Sequence, residues 1–192
     1  VGLARGARVL AIDGIDLVNS TAGADIDRLN DALFPSGTGQ SHSFTVQDIG
    51  GGPQRSVSMT SANVTATPVQ NTRSIATASG PVGYLLFNDH IATSEAGLVQ
   101  AITTLRNAGV VDLVLDLRYN GGGRISTANH FASQVVGALQ AGKVFATLNY
   151  NAAHQAANQS FKMTSASGPA FARVVILTGL RTCSASELLV NG

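Results

Sequence analysis

A chain of 192 residues is long enough for one large or two small domains, and with 12 Lys plus Arg against 11 Asp plus Glu it is nearly neutral. An apolar share of 44% excludes a disordered tail, and a net charge of +1 without a Lys/Arg cluster leaves no footprint for nucleic acid. The single cysteine excludes an internal disulfide and any multi-cysteine zinc site, and no apolar run approaches the roughly 18 residues of a membrane span.

In chain order, Arg8 to Ile12 reads as a short apolar strand closed by the turn Asp13-Gly14. Ile26, Leu29 and Leu33 recur at i, i+3, i+7 with Ala32 beside them, which predicts a helix ended by Pro35-Ser36-Gly37. Phe44 and Val46, then Val57 and Met59, alternate with polar neighbours across Gly50-Gly51-Gly52-Pro53, the pattern of a hairpin with one wet face. Residues 62–80 are rich in Ser, Thr, Ala and Asn and read as a connector or an irregular edge strand.

A different texture begins at Pro81. Val82 to Phe87 predicts a strand, and Ser94 is placed as the cap of a helix carrying Leu98, Ile102 and Leu105, stopped by Gly109. Val110 to Leu117 is nearly continuously apolar, the mark of a central strand buried on both faces. A glycine turn leads to a helix with Ala128, Phe131, Ala132, Val135 and Leu139 aligned. Lys143 to Tyr150 and Arg173 to Thr178 supply two more strands. Strands alternating with helices predict a layered α/β core. The chain begins at Val1 without an initiator Met and stops soon after the helix-like start at Ser186, so it reads as a piece of a longer protein.

Two loops follow buried strands, where ligand sites of α/β sheets collect. The first is Asp116-Leu117-Arg118-Tyr119-Asn120-Gly121-Gly122-Gly123. Its glycines leave backbone N–H groups open to a ligand oxygen, although a plain tight turn accounts for them equally well. No Lys-Ser/Thr follows, which argues against a phosphate loop. The second is Thr182-Cys183-Ser184-Ala185-Ser186-Glu187, leading into a helix. A serine there can be presented on a sharp turn, with the next N–H aimed at a developing oxyanion. The bland alternative is N-capping, because Ser184 with Glu187 three residues later is a capping box.

Together the two loops are specific. DLRYNGGG followed by TCSASE resembles the C-terminal processing peptidases, the tail-specific serine proteases. Gly83 to Phe87 resembles a strand of their core, and Gly2 to Gly14 the middle of a PDZ domain. The resemblance implies an α+β or α/β chain: a partial PDZ-like domain over 1–70, then a crotonase/ClpP-like protease core over 71–192. By the same resemblance Ser184 is the nucleophile, and the backbone N–H groups of Ala185 and of Gly122 or Gly123 form the oxyanion hole. The general base is a lysine C-terminal to the serine motif, beyond Gly192; Lys143 and Lys162 match no family motif. Asp116 and Arg118 would shape the glycine loop. No cofactor or metal is implied, and the partners are polypeptide substrates taken by their C-terminal segments. The implied location is periplasmic or cell-envelope.

Other readings compete. Cys183 is a possible nucleophile, but no activating cation or histidine is local to it in sequence. His42, His90, His130 and His154 lack metal-ligand spacing, and only His90, beside Asp89 at a strand end, is a candidate partner for Ser184 in a Ser-His dyad. A non-catalytic peptide-binding module that keeps the protease fold is the alternative to the endopeptidase. An acyl-CoA enzyme of crotonase type ranks last, because it has no use for the serine motif.

Overall fold

A computed structural model describes residues 2–4, 6–166 and 168–191. The chain forms two compact units, residues 1–65 and 66–192, each with its own core.

In the first unit, β1 (Arg8–Ile12) turns at Asp13-Gly14 into the short β2 (Ile15–Asp16), and α1 (Gly23–Leu33) precedes β3 (Ser41–Gln47) and β4 (Arg55–Thr60). The sheet order is β2-β1-β3-β4, antiparallel throughout, and Phe44 stands opposite Val57 in the expected hairpin. Ile12, Phe44, Val46 and Val57 bury one sheet face against Leu29 and Ala32 of α1. Ile26 and Leu33, expected on that helix face, are 43% and 40% exposed. The stripe that packs is therefore narrower than the periodicity indicated.

The second unit holds a four-stranded sheet in the order β10-β7-β6-β5, made of β5 (Val69–Thr77), β6 (Gly80–Phe87), β7 (Asp112–Asp116) and β10 (Arg173–Leu177). Strands β6, β7 and β10 are mutually parallel, and β5 pairs antiparallel with β6 along the edge. Of the two readings left open for 62–80, the edge strand is the one seen, with a register shift between Gln70 and Arg73. Between the parallel strands run α2 (Ser94–Asn107) and α3 (Ile125–Val136), with β8 (Val144–Leu148) and β9 (Gln159–Lys162) before β10; α4 (Ala185–Asn191) follows it. Leu85, Leu113 and Leu115 of the sheet pack with Leu98, Ile102 and Leu105 of α2 and Phe131 of α3. This mixed α/β layering agrees with the sequence pattern.

Two local expectations need correction. Ser94 is the first residue of α2 rather than its cap, and its hydroxyl donates to the Asp89 carbonyl at 2.7 Å. Helix α3 stops at Val136, leaving Leu139 92% exposed. Gly137 adopts φ 74° there, and a Cβ on it would lie 2.6 Å from the backbone N of Ala170, so the chain must turn where another segment crosses. The strand expected over Lys143 to Tyr150 is seen as β8, which pairs with β9 in a separate two-stranded hairpin.

Because β6, β7 and β10 run parallel and in step (Leu86 beside Asp116, Asp116 beside Leu177), the loops leaving their carboxyl ends emerge together. Those loops are 88–93, 117–124 and 178–184. They bring together residues nearly a hundred positions apart in sequence.

Candidate active site

Ser184 ends the loop from β10 into α4, in a left-handed conformation with φ 54°. This backbone is unfavourable for a residue with a Cβ, by about 1 kcal/mol or more, and lifts the side chain out of the turn. Half of the expected capping box is present. Glu187 Oε2 accepts the Ser184 N–H at 2.9 Å, but the Ser184 hydroxyl caps nothing. Ser184 is exposed, and its hydroxyl has no hydrogen-bond partner among the described residues.

The glycine loop lies directly against it. Gly122 is buried at φ 103°, and a Cβ placed there would stand 2.7 Å from Ser184 Cβ, 2.8 Å from Cys183 O and 2.9 Å from Ala185 N. The two loops named from sequence are thus in contact, with glycine required at their meeting point. Gly123, at φ 129°, is equally constrained on its other side, where a Cβ would come within 2.6 Å of His90 O.

Hydrogen bonds separate the three candidate N–H donors. The Gly122 N–H donates to Asn120 Oδ1 at 3.0 Å and is spent inside the protein. Neither the Gly123 nor the Ala185 N–H has an acceptor among the described residues, and Gly123 is exposed.

Asn120, fully buried, ties the three loops together. Its Nδ2 donates to Phe87 O, and its Oδ1 accepts from both Gly122 N–H and His90 Nδ1. Its carbonyl accepts the Cys183 N–H at 3.3 Å and the buried Ser186 hydroxyl at 3.1 Å. Thr182 adds a second tie through its hydroxyl to Leu117 O at 2.8 Å. In the sequence Asn120 stands out only as part of the glycine-loop motif. The available signal was a short amide between a buried strand and a glycine turn, but its partners lie about 30 and 65 residues away.

His90 is not solvated as a strand-end histidine would be. It is wholly buried against Phe87, with ring centroids 4.5 Å apart, and burial pushes its pKa below the ordinary value. Its Nδ1 is engaged by Asn120 and its Nε2 has no partner among the described residues, so the structure does not pair it with Ser184. Asp116 is buried and chelated by Arg118, with Tyr84 also donating to it at 2.7 Å; these bonds, the Arg118 ones first, hold its carboxyl down to about 2. Burial and then the Asp116 carboxylate push Tyr84 up. Asp116 and Arg118 therefore brace the start of the glycine loop.

Cys183 is exposed, and its thiol has no hydrogen bond or ion pair to a His, Lys or Arg among the described residues. Lys143 and Lys162 lie beside and in the β8–β9 hairpin and make no side-chain bond to Ser184. Among the described residues no three His, Cys, Asp or Glu side chains converge on a metal position, and no helix is long and apolar enough to cross a membrane.

Comparison with known proteins gives a consistent result. The family model of peptidase family S41 matches residues 81–192. In three dimensions the chain is similar to a Bacteroides fragilis protein assigned to the S41 proteases, with a TM-score of 0.68 and 23% identity, covering 99% of this chain and 51% of that one. It is also similar to a photosystem II D1 C-terminal processing protease, with a TM-score of 0.56 and 24% identity, covering 98% of this chain and 48% of the other. At these identities the likeness is one of fold. The chain spans about half the length of either structure. None of the curated proteins matches.

Proposed function

The chain belongs to peptidase family S41, and from that premise we propose that it carries the nucleophile and oxyanion hole of a serine endopeptidase that cleaves polypeptides near their C-termini. The observation that carries the proposal is the junction of Ser184 with Gly122. There an exposed serine on a left-handed turn touches the glycine loop, and the N–H groups of Gly123 and Ala185, the residues that follow Gly122 and Ser184, have no acceptor among the described residues.

In this reading Ser184 Oγ attacks the scissile carbonyl carbon and its proton passes to a general base. The carbonyl oxygen gains the electron pair and is held by the N–H groups of Gly123 and Ala185. The amine leaves with the proton, and water then releases the acyl group from Ser184. Of the two glycines named from sequence, Gly123 is preferred as donor because Asn120 already occupies the Gly122 N–H. The base is proposed to be a lysine in sequence following Gly192, desolvated enough to be neutral.

The finer assignments are proposals too. The antiparallel first unit with its single helix, read with the motif around Gly2 to Gly14, supports a partial PDZ-like domain over 1–70. The layered second unit supports a truncated core of crotonase/ClpP type over 71–192. C-terminal cleavage and a periplasmic or envelope setting rest on the motif resemblance. The first also agrees with the name of the D1 C-terminal processing protease, whose fold the chain shares.

The test is labelling of the full-length protein with a fluorophosphonate, followed by peptide mapping and a hydrolysis assay. Label on Ser184 and cleavage lost in Ser184→Ala support the reading. Peptide binding without label or cleavage would instead favour a non-catalytic binding module.

A further inference from the structure

The mechanism above leaves unused a buried titratable side chain, His90. Its backbone clamps the glycine loop at two points: the His90 N–H donates to Gly122 O at 3.0 Å, and His90 O accepts the Arg124 N–H at 2.8 Å. Within a trans peptide the C=O and the following N–H point in opposite directions. Turning Gly122 O toward His90 therefore turns the Gly123 N–H away from it. The same backbone bond that anchors the loop sets the direction of the proposed oxyanion donor.

The ring adds a third point. Asn120 Nδ2 donates to Phe87 O, so the amide presents its oxygen to His90 Nδ1, and that nitrogen must carry the proton. The same Oδ1 takes the Gly122 N–H. The Gly122 amide is thereby fixed at its nitrogen through the side chain of Asn120 and at its carbonyl through the backbone of His90.

We infer that His90 is a positioning residue for the oxyanion hole: its Nδ1–H orients Asn120, which holds Gly122 so that the Gly123 N–H faces the cleft. The inference rests on the reading of Gly123 as an oxyanion donor. It assigns His90 neither proton transfer nor contact with substrate. The competing account is that the ring merely fills space beside Phe87.

The two accounts predict opposite orders among substitutions. Asparagine places a side-chain N–H near the site of Nδ1, glutamine places one near Nε2, and phenylalanine fills the volume with no donor. In the full-length protein, His90→Asn should keep kcat within a few-fold. His90→Gln and His90→Phe should lose on the order of ten- to a hundredfold in kcat with KM little changed, the scale of a misaligned supporting shell or a weakened oxyanion donor. Amide hydrogen exchange read by NMR should show Gly122 protected in the wild type and His90→Asn, and exchanging faster in the other two. In the unsubstituted protein, ring 15N shifts should report the Nδ1–H neutral tautomer, a readout that needs no variant to fold.

His90→Phe with wild-type kcat and Gly122 protection would overturn the inference in favour of space filling. So would an Nε2–H neutral tautomer, the one form that takes the proton away from Nδ1. If no protein in the set cleaves peptide but the exchange order and the tautomer hold, the peptidase reading fails while the loop-positioning role of His90 stands.

Discussion

Gly122 and Ser184 meet so closely that a single added methyl group at Gly122 would stand 2.7 Å from the serine Cβ, with backbone atoms of Cys183 and Ala185 within 2.9 Å. Backbone atoms on two sides cannot swing away as a flexible side chain does. Gly122→Ala is therefore expected to combine a positive-φ penalty with displacement of the serine turn, costing about 2–4 kcal/mol of stability and on the order of a hundredfold or more in kcat/KM. Gly121→Ala is the control. A Cβ there meets nothing closer than Arg181 O at 4.0 Å, so denaturant unfolding and kinetics should both stay near wild type. Equal damage from the two substitutions would show that the loop as a whole, and not the Gly122 contact, limits activity.

The serine motif separates residue by residue. Ser184→Ala should abolish cleavage, and Cys183→Ala should retain it, since the thiol has no activating partner among the described residues. Ser186→Ala should retain most activity but lose about 1 kcal/mol, because its buried hydroxyl is bonded to Asn120 O. Ser184→Gly is the informative fourth variant. It relieves the left-handed strain at φ 54° and should be more stable than wild type by about 1 kcal/mol while remaining inactive. Activity that followed Cys183 rather than Ser184 would reverse the assignment.

Some of this was legible in the sequence, and the gaps have physical causes. Val82 to Phe87 and Val110 to Leu117 were readable because a strand covered on both faces is apolar along most of its length. Strand β5 was ambiguous because an edge strand with an irregular register need not alternate. Leu139 sat in phase with Phe131 and Val135, yet the helix ends where residues 168–170 cross Gly137, a crossing that no local period can encode. The adjacency of the glycine and serine loops was expected from motif resemblance. The division of labour between Gly122 and Gly123 was not, because it depends on the direction of one buried amide, that of Asn120. The burial of His90 was not legible for the same reason: its backbone pairs with Gly122 and Arg124, more than thirty residues away.

Asp116 gives a pH dependence with a definite sign. Arg118 first, then Tyr84, hold its folded pKa at about 2, below the ordinary carboxylate value of 3.8. A lowered folded pKa means that the unfolded chain binds the proton first. The stabilisation is thus complete above about pH 4 and is lost as pH falls toward 2. Arg118 is half exposed, so the contribution is discounted to about 1–2 kcal/mol. Asp116→Asn should be less stable than wild type by that amount at pH 7, with the gap closing on acidification. A gap that stayed constant from pH 7 to pH 2 would mean that packing, and not the ion pair, is the contribution of Asp116.

Without a base to take its proton, a serine hydroxyl is a weak nucleophile at neutral pH. Among the described residues none of the candidate bases bonds Ser184. The His90 ring is wholly buried with Nδ1 on Asn120 and Nε2 without a partner, and neither Lys143 nor Lys162 makes a side-chain bond to the serine. The 192-residue chain expressed alone is accordingly expected to leave peptides uncut, or to cleave them only at the residual rate that an oxyanion hole supplies without its base. Assayed in parallel, the full-length protein should cleave, and replacing the lysines after residue 192 one at a time should identify the one on which activity depends. Robust cleavage by the 192-residue chain that vanished in His90→Ala would place the base on His90. The basic nitrogen would then be Nε2, because Asn120 takes the Nδ1–H, so the Gly122 amide should keep its exchange protection as substrate binds.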